Sequence, residues 1–314
     1  MSQRPERAAV LVCMPVLDFL LTGLAEHFEV RHWPECPRGT PPRLDDVRGA
    51  IVSSVHAPTN EQFAQMPHLA ITAHTGAGYD AIDLRYVRSR GIVVTHNPGT
   101  NNGTVADHAL GLMLAISRGF VLLDRGMREG RWAESRTDPP TINGMRLGIV
   151  GLGRIGAQIA RRAAAFDMAI GYCGRSPQAD MPWTFFPSVV GLAAASDYLV
   201  LACPGGPATR HIVNAQVLDA LGPEGYLVNV ARGSVVDTDA LITALRERRI
   251  AGAGIDVIDG EPNIPSELLT LDNVLLTPHV AGRAPNSLKA QYRATIENIV
   301  GVLNGTGPVS PVPQ

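Results

Sequence analysis

The chain has 314 residues with a formal net charge of −2 at pH 7, and 45% of its residues are hydrophobic while 18% are charged. A chain of this length is too long for a single hydrophobic core of ordinary size, which predicts about two domains. The composition is typical of a compact globular protein rather than a disordered chain. Acidic and basic residues are interleaved without a basic run, which argues against binding to nucleic acid.

No apolar stretch is long enough to predict a membrane span, since the run from Ala8 to Leu17 is short and Asp18 follows it. Two arginines precede this run, but Glu6, Pro15 and the lack of a small-residue cleavage site favour a buried first strand over a signal peptide. The four cysteines form no CxxC pair, and none stands beside a histidine at metal-ligand spacing. We therefore expect a reduced, cytoplasmic protein without a metal site or a membrane partner.

Short β-branched runs alternate along the chain with alanine- and leucine-rich helical stretches. Several of the runs are apolar throughout, as expected for parallel strands that are covered on both faces. The alternation predicts right-handed β-α-β units, and therefore an α/β fold with doubly wound parallel sheets. The predicted strands are Ala9–Met14, Gly49–Ser53, Ile71–His74, Leu147–Val150, Met168–Tyr172, Tyr198–Ala202, Tyr226–Val230, Ala253–Val257 and Val274–Thr277.

The elements predict two domains with a cleft between them. Residues 1–101 predict a small, flavodoxin-like substrate domain, and residues 102–282 predict a Rossmann domain with six strands. The tail, 283–314, contains one helix at about Asn286–Leu303, which cannot form a domain alone and should pack on the first domain, making it discontinuous. Asn97-Pro98-Gly99 has the chemistry of a turn and marks the expected crossover.

A long apolar helix is predicted at Thr104–Arg118. A helix that is hydrophobic on all sides must be buried all round. We expect this helix to lie either between the two domains or against a second subunit.

The strongest local motif is Gly151-Leu152-Gly153-Arg154-Ile155-Gly156, which follows a predicted strand directly and begins a helical run. In a dinucleotide site the first glycine allows a tight turn, the second lets the backbone approach a pyrophosphate, and the third lets helix and strand pack closely. The helix N-terminus supplies N–H groups for the phosphates. The strand–turn–helix context favours this function over a plain glycine turn.

The end of the next strand indicates which dinucleotide is bound. An NAD site usually has an acidic residue there, which accepts hydrogen bonds from the ribose, but this chain has Cys173. Gly174, Arg175 and Ser176 follow, and an arginine can hold a 2′-phosphate through paired hydrogen bonds. The alternative is a solvated surface arginine. The turn favours NADP, with NAD as the weaker alternative.

Three polar residues follow the carboxyl ends of neighbouring predicted strands, which is the edge where open α/β sheets bind ligands. They are Arg232, Glu261 and His279. Arg232 can bind a carboxylate or carbonyl group, His279 can protonate a carbonyl oxygen as a hydride arrives, and Glu261 can keep the imidazole protonated near neutral pH. Each residue alone could be a surface or structural residue, but together they suit the reduction of a keto acid.

These motifs resemble the D-isomer-specific 2-hydroxyacid dehydrogenases over nearly the whole chain. Within that family the tract 209–239 and the turn 174–176 are most similar to the NADP-dependent glyoxylate/hydroxypyruvate reductase branch. The motifs that carry the family resemblance are His74-Thr75-Gly76-Ala77-Gly78-Tyr79-Asp80, Thr104-Val105-Ala106-Asp107-His108, the glycine motif, Ala231-Arg232-Gly233, Asp256, Glu261-Pro262 and Thr277-Pro278-His279.

The resemblance implies NADPH-dependent reduction of a small 2-keto acid, such as glyoxylate or hydroxypyruvate, to the D-2-hydroxy acid. It implies Arg232, Glu261 and His279 as catalytic residues, and substrate binding by Gly76-Ala77-Gly78 together with Arg232 and His279. It also implies a homodimer built on the cofactor domain through the helix near Thr104. The implied cofactor contacts are Thr104, Gly151, Leu152, Gly153, Arg154, Ile155, Gly156, Gly174, Arg175, Ser176, Pro204, Val230, Ala231, Arg232, Asp256, His279 and Gly282.

Two features depart from the family's pattern. Asp107 stands where the family often has Glu, and Arg283 and Pro285 follow the His279 turn, where small residues are common. The choice of keto acid therefore stays open. A non-catalytic, nucleotide-sensing protein on the same fold is one alternative, and oxidation of formate or phosphite type is another. The short termini and the arginine of the ribose turn favour the reductase.

Overall fold

The computed structural model describes residues 7–80 and 82–313, and the chain divides into two compact units. The first unit comprises Met1–Asn101 and Arg283–Gln314, and the second comprises Asn102–Gly282. Each unit contains a parallel sheet with one apolar core layer on each face. This arrangement confirms the predicted α/β class with two doubly wound sheets.

Five parallel strands form the sheet of the first unit, in the order β2-β1-β3-β4-β5, which is the flavodoxin-like order. Two of them were not predicted from the sequence. The second strand has three polar residues among its four and is partly accessible, and the fifth has only three residues, so neither shows a long apolar run. The strands are β1 Ala9–Val12, β2 Glu29–His32, β3 Val47–Val52, β4 Ile71–His74 and β5 Val93–Thr95.

The tail helix packs on the first unit, as its sequence predicted. Tyr292 and Ile299 of this helix are buried in the same apolar layer as residues of β1 and β4. The buried Asn97 side chain donates hydrogen bonds to the Gln291 carbonyl (3.0 Å) and the Thr295 hydroxyl (2.7 Å), which fastens the helix to the chain after β5. The helices of this unit are α1 Asp18–Ala25, α2 Asn60–Ala64, α3 Leu84–Ser89 and α11 Pro285–Leu303.

Seven parallel strands form the second sheet, in the order β12-β11-β10-β9-β6-β7-β8. The chain starts at the centre and winds first to one edge and then to the other, as in Rossmann domains. The prediction of six strands was wrong by one, because the edge strand β8 has only three residues, too few to show a strand pattern. The strands are β6 Arg146–Val150, β7 Ala169–Cys173, β8 Thr184–Phe186, β9 Tyr198–Leu201, β10 Tyr226–Asn229, β11 Gly252–Ile255 and β12 Val274–Leu276.

The long apolar helix of the second unit packs one side against the sheet and another helix. Asp107 and Gly111 are exposed in the single chain, so the expected burial of this helix between domains or against a second subunit stays a prediction. The helix ends at Ser117, and a second helix follows after a bend. The helices are α4 Asn102–Ser117, α5 Phe120–Arg128, α6 Arg154–Ala164, α7 Val189–Ala194, α8 Ala215–Leu221, α9 Thr238–Arg246 and α10 Ser266–Leu269, with a 3₁₀ turn at Gly233–Val235.

Within the described part of the chain, no individual helix has both the length and the apolar character needed to cross a membrane. Only α4 and α5 taken together reach that threshold, and they are bent by 58° relative to each other.

Candidate active site

The turn between β6 and α6 has a backbone that requires glycine at two positions and is open at a third. Gly151 has a φ of +96°, and a Cβ there would lie 2.6 Å from the Cα of Cys203. A Cβ on Gly156 would overlap with the Gly151 carbonyl oxygen. Around Gly153, in contrast, nothing would lie within 4 Å of a Cβ, and no side chain caps the helix that begins there. The N-terminus of α6 is therefore accessible to a phosphate group, and the turn fits a dinucleotide.

The turn after β7 offers a cation and no acid. Gly174, Arg175 and Ser176 are exposed, and Arg175 forms no hydrogen bond or ion pair with any residue of 7–80 or 82–313. Burial raises the pKa of the Cys173 thiol, so this side chain stays uncharged at neutral pH. The turn thus presents a guanidinium without a competing acid at the position where a ribose phosphate would lie.

Gln178 connects the two turns, a role that the sequence did not suggest. Its side-chain amide donates to the Leu152 carbonyl (2.9 Å), and its backbone N–H donates to the Tyr172 hydroxyl (2.7 Å). A glutamine in a polar loop carries no motif, so only its contacts reveal that it positions the ribose turn.

Arg232 follows β10 and is held by a buried residue of that strand. The Asn229 side chain accepts from the Ala231 N–H (3.0 Å) and donates to the Arg232 carbonyl (3.0 Å). The Arg232 guanidinium itself donates to the Ala231 carbonyl (2.7 Å). Asn229 was missed in the sequence analysis, although a polar residue that ends an apolar strand is a usable signal.

The loops after β10 and β11 touch at Gly233. A Cβ on this residue would overlap with the carbonyl group of Ile258 and the backbone nitrogen of Asp259. Only glycine permits this close approach. As a result, the backbone that follows Arg232 contacts the loop that carries Glu261.

His279 and Glu261 form the central contact of the site. The Nδ1 of His279 lies 2.6 Å from the Oε1 of Glu261, and their side chains are 28% and 22% exposed. His279 has a φ of +51°, which is rare for a residue with a side chain and often marks a functional site. The loops after the adjacent strands β10, β11 and β12 therefore carry the arginine, the carboxylate and the imidazole along one sheet edge.

Asp256 organises the turn around His279. Its carboxylate accepts from the Thr277 hydroxyl (2.6 Å) and from the N–H groups of Val280 (2.9 Å) and Ala281 (3.0 Å). Burial alone would raise the pKa of Asp256, but the nearby His108, the Thr277 hydroxyl and the backbone N–H groups together hold it below its ordinary value. The side chain is therefore a fixed carboxylate at neutral pH.

The remaining predicted cofactor contacts in the second unit are placed as follows. Val230 and Ala231 are buried beyond the end of β10, and Thr104 is half-buried near the start of α4. Pro204 is exposed after β9, where its carbonyl accepts from the Thr209 hydroxyl (2.7 Å). The others are the buried Leu152, the exposed Arg154, and the half-buried Ile155 and Gly282.

The predicted substrate loop, Gly76-Ala77-Gly78, follows β4 in the first unit. The N–H of Gly76 donates to the Nδ1 of His74 (3.0 Å), so it is already occupied. The Ala77 carbonyl contacts the Nδ1 of His96 (2.7 Å), and the Gly76 carbonyl accepts from the Asn97 N–H (2.9 Å). These contacts occupy the N–H of Gly76 and the carbonyls of Gly76 and Ala77, and they leave the N–H groups of Ala77 and Gly78 without a hydrogen bond to the described residues.

The comparison with known families identifies this arrangement. The sequence profile of the D-isomer specific 2-hydroxyacid dehydrogenase NAD binding domain matches residues 110–281. The chain belongs to the D-isomer-specific 2-hydroxyacid dehydrogenase family. This dehydrogenase is accordingly an oxidoreductase that acts on a CH–OH group with a nicotinamide cofactor.

Relatives of the dehydrogenase extend over its whole length. A glyoxylate/hydroxypyruvate reductase of Arabidopsis thaliana is 38% identical, covering 98% of this chain and 99% of that protein. A hydroxyphenylpyruvate reductase of Plectranthus scutellarioides is 37% identical, with the same coverage of 98% and 99%. The crystal structure of an NADPH-dependent glyoxylate/hydroxypyruvate reductase from Sinorhizobium meliloti, in complex with NADP and malonate, superposes with a TM-score of 0.90 at 38% identity, covering 98% of this chain and 97% of that one.

Proposed function

We propose that this protein reduces a small 2-keto acid, such as glyoxylate or hydroxypyruvate, to the D-2-hydroxy acid with NADPH. The observation that carries the proposal is the 2.6 Å contact between His279 Nδ1 and Glu261 Oε1, on loops adjacent to the one that carries Arg232. An oriented imidazole and a guanidinium are the groups that protonation of a carbonyl and binding of a carboxylate require.

The roles of the catalytic residues follow from this contact. Because Nδ1 faces the Glu261 carboxylate, Nε2 is the nitrogen of His279 that can face a substrate, and it donates the proton to the carbonyl oxygen. The Glu261 carboxylate stabilises the protonated imidazole before the transfer. Arg232, anchored through Asn229, binds the substrate carboxylate and polarises the carbonyl group.

The cofactor supplies the hydride, and residues of the second unit would hold it. The N–H groups at the start of α6 and the open backbone of Gly153 suit the pyrophosphate, and Arg175 suits a 2′-phosphate. The Sinorhizobium meliloti relative, whose structure contains NADP, supports NADPH over NADH. Thr104, Pro204, Asp256 and Gly282 are the further proposed contacts.

The first unit would contribute to substrate binding through the loop after β4. The N–H groups of Ala77 and Gly78 are the donors of this loop that remain for a substrate carboxylate, and Gly76 contributes by shaping the turn. Of the three backbone N–H groups that the family resemblance implies as donors to the substrate, those of Ala77 and Gly78 therefore remain available.

We infer that the protein is a homodimer formed through the second unit. Phe120, Val121 and Leu122 at the start of α5 are 50%, 57% and 52% exposed, and Gly111 of the preceding helix α4 is exposed as well. Exposed apolar residues of this kind often mark interfaces, and a second copy of the chain is the commonest partner. We place the dimer in the cytoplasm, because its four buried cysteines are free thiols.

The activity is tested by following the nicotinamide absorbance with NADPH and a panel of 2-keto acids of increasing size. We expect the absorbance to fall with at least one small keto acid, and NADH to be used less efficiently. Binding of NADPH without oxidation in the presence of every acid would instead favour a nucleotide-sensing protein. Reduction of NADP⁺ by formate or phosphite would point to the other alternative on this fold.

A further inference from the structure

His108 of α4 reaches the turn that carries the catalytic histidine. Its Nε2 lies 3.0 Å from the Thr277 hydroxyl oxygen and 3.5 Å from the Oδ1 of Asp256. The His108 side chain is 24% exposed, whereas that of Asp256 is 1% exposed. A residue at the surface of a helix therefore contacts a buried carboxylate that lies beyond β11.

The direction of these hydrogen bonds follows from counting protons. The Thr277 hydroxyl has one proton, and it is 2.6 Å from the Asp256 carboxylate, which can only accept. Thr277 must therefore accept from His108, so the Nε2 of His108 bears a hydrogen. The result is a chain of donors that runs from His108 through Thr277 to Asp256.

Asp256 fixes the backbone on both sides of His279. Its carbonyl accepts from the His279 N–H (2.8 Å), and its carboxylate accepts from the N–H groups of Val280 and Ala281. These three hydrogen bonds hold His279 in its left-handed backbone conformation, which is strained for a residue with a side chain. The direction in which the imidazole points thus depends on where the Asp256 side chain is held.

We propose that His108 is a positioning residue for the catalytic histidine. By donating to Thr277, it fixes the hydroxyl against Asp256 and thereby holds the turn that aims the His279 imidazole at Glu261. The kinetic consequence rests on the proposed reduction of keto acids, whereas the structural consequence does not.

Three variants at position 108 separate this role from a general effect on packing. In His108→Gln the side-chain amide nitrogen can occupy nearly the same place as Nε2, whereas in His108→Asn the side chain is too short and in His108→Phe no donor remains. Asp107→Asn is the control on the same helix, since Asp107 is 69% exposed and pairs with Arg162 away from the turn. His108→Gln and His108→Asn are matched in polarity and differ only in length. Their comparison therefore tests the position of the donor even if His108→Phe does not fold.

Two measurements are made on each variant. The first is kcat and KM with NADPH and the best keto acid. The second is the NMR signal of the imidazole Cε1–H of His279 in the whole enzyme with ¹³C-labelled histidine, assigned from its absence in His279→Gln. We expect His108→Asn and His108→Phe to lower kcat by about tenfold or more, with little change in the KM for NADPH, and to shift the His279 signal. His108→Gln and Asp107→Asn should stay close to the wild type in both.

An unshifted His279 signal and a normal kcat in His108→Asn would overturn the proposal. So would a His108→Gln variant that behaves like His108→Asn. If the wild-type protein reduces no keto acid, the proposed function fails, but the His279 signal of the same variants still decides whether His108 positions the turn.

Discussion

The Glu261 carboxylate lies 2.6 Å from the Nδ1 of His279, and this contact should orient the imidazole for catalysis. In Glu261→Gln the charge-assisted hydrogen bond is replaced by a neutral one, so Nε2 is held less firmly towards the substrate and kcat for reduction should fall by about tenfold or more. Glu267→Gln, which changes an acid of the same connecting segment, should leave kcat unchanged. A folded Glu261→Gln enzyme with a normal kcat would remove Glu261 from this role.

The preference for NADPH should depend on Arg175, which has an exposed guanidinium and no partner among the described residues. A charge-assisted hydrogen bond contributes roughly 1.5–3 kcal/mol, which corresponds to about one to two orders of magnitude in kcat/KM. Arg175→Ala should lose most of the preference for NADPH over NADH while keeping its NADH activity. Arg175→Lys, which keeps the charge without the planar fork, should be intermediate. Equal use of both cofactors by the wild-type enzyme would contradict the assignment.

The chemistry of individual residues predicted the candidate catalytic side chains, but not the hydrogen bonds that hold them in place. The sequence placed Arg232, Glu261 and His279 after neighbouring strands, and the structure shows the last two in direct contact. Asn229 and His108 were not assigned a role, although Asn229 ends an apolar strand and His108 stands in a motif of the family, because neither feature shows which groups the side chain contacts. Their function depends on contacts with residues that are distant in sequence.

At the scale of elements, two glycines of the turn before α6 should have different roles, one in cofactor binding and the other in stability. Gly153 has an ordinary negative φ and open space around a Cβ, so Gly153→Ala should change the free energy of unfolding by no more than about 1 kcal/mol. The added methyl group lies where the pyrophosphate would approach, so the KM for NADPH should rise. Gly156→Ala should behave differently, because its Cβ would overlap with the Gly151 carbonyl and destabilise the fold. Denaturant unfolding and NADPH kinetics on both variants test this contrast, which an unchanged KM in Gly153→Ala would contradict.

The central strands were predictable because they are buried on both faces and read as apolar runs. β1, β4, β6 and β9 are buried at every position or nearly so, and their predicted bounds differ from the observed ones by two residues at most. Three of the four edge strands, β2, β5 and β8, were missed, because each has only three or four residues and at most two of them are apolar. The edge strand β12 was predicted, because all three of its residues are apolar. Sequence periodicity therefore reveals the centre of a parallel sheet better than its edges.

For the whole molecule, the exposed apolar start of α5 predicts a dimer. Light scattering at micromolar concentration should give twice the chain mass of 33.4 kDa. Leu122→Glu places a charge in the proposed interface and should shift the protein towards monomers. Leu269→Glu changes a leucine of the same unit that is 65% exposed on another element, and it should leave the dimer intact. A wild-type protein with the mass of a single chain would refute the proposed interface.

The most direct test of the proposed function is the transfer of a labelled hydride. Hydroxypyruvate is incubated with NADPH that is deuterated at the transferring C4 position, and the product is analysed for configuration and for deuterium at C2. We predict D-glycerate with deuterium at C2 from the wild-type enzyme, and a rate about 10²–10⁴-fold lower from His279→Gln with NADPH affinity retained. An L-configured product would contradict the assigned D configuration, an unlabelled product would contradict direct hydride transfer to the 2-keto acid, and an undiminished rate in His279→Gln would contradict His279 as the proton donor.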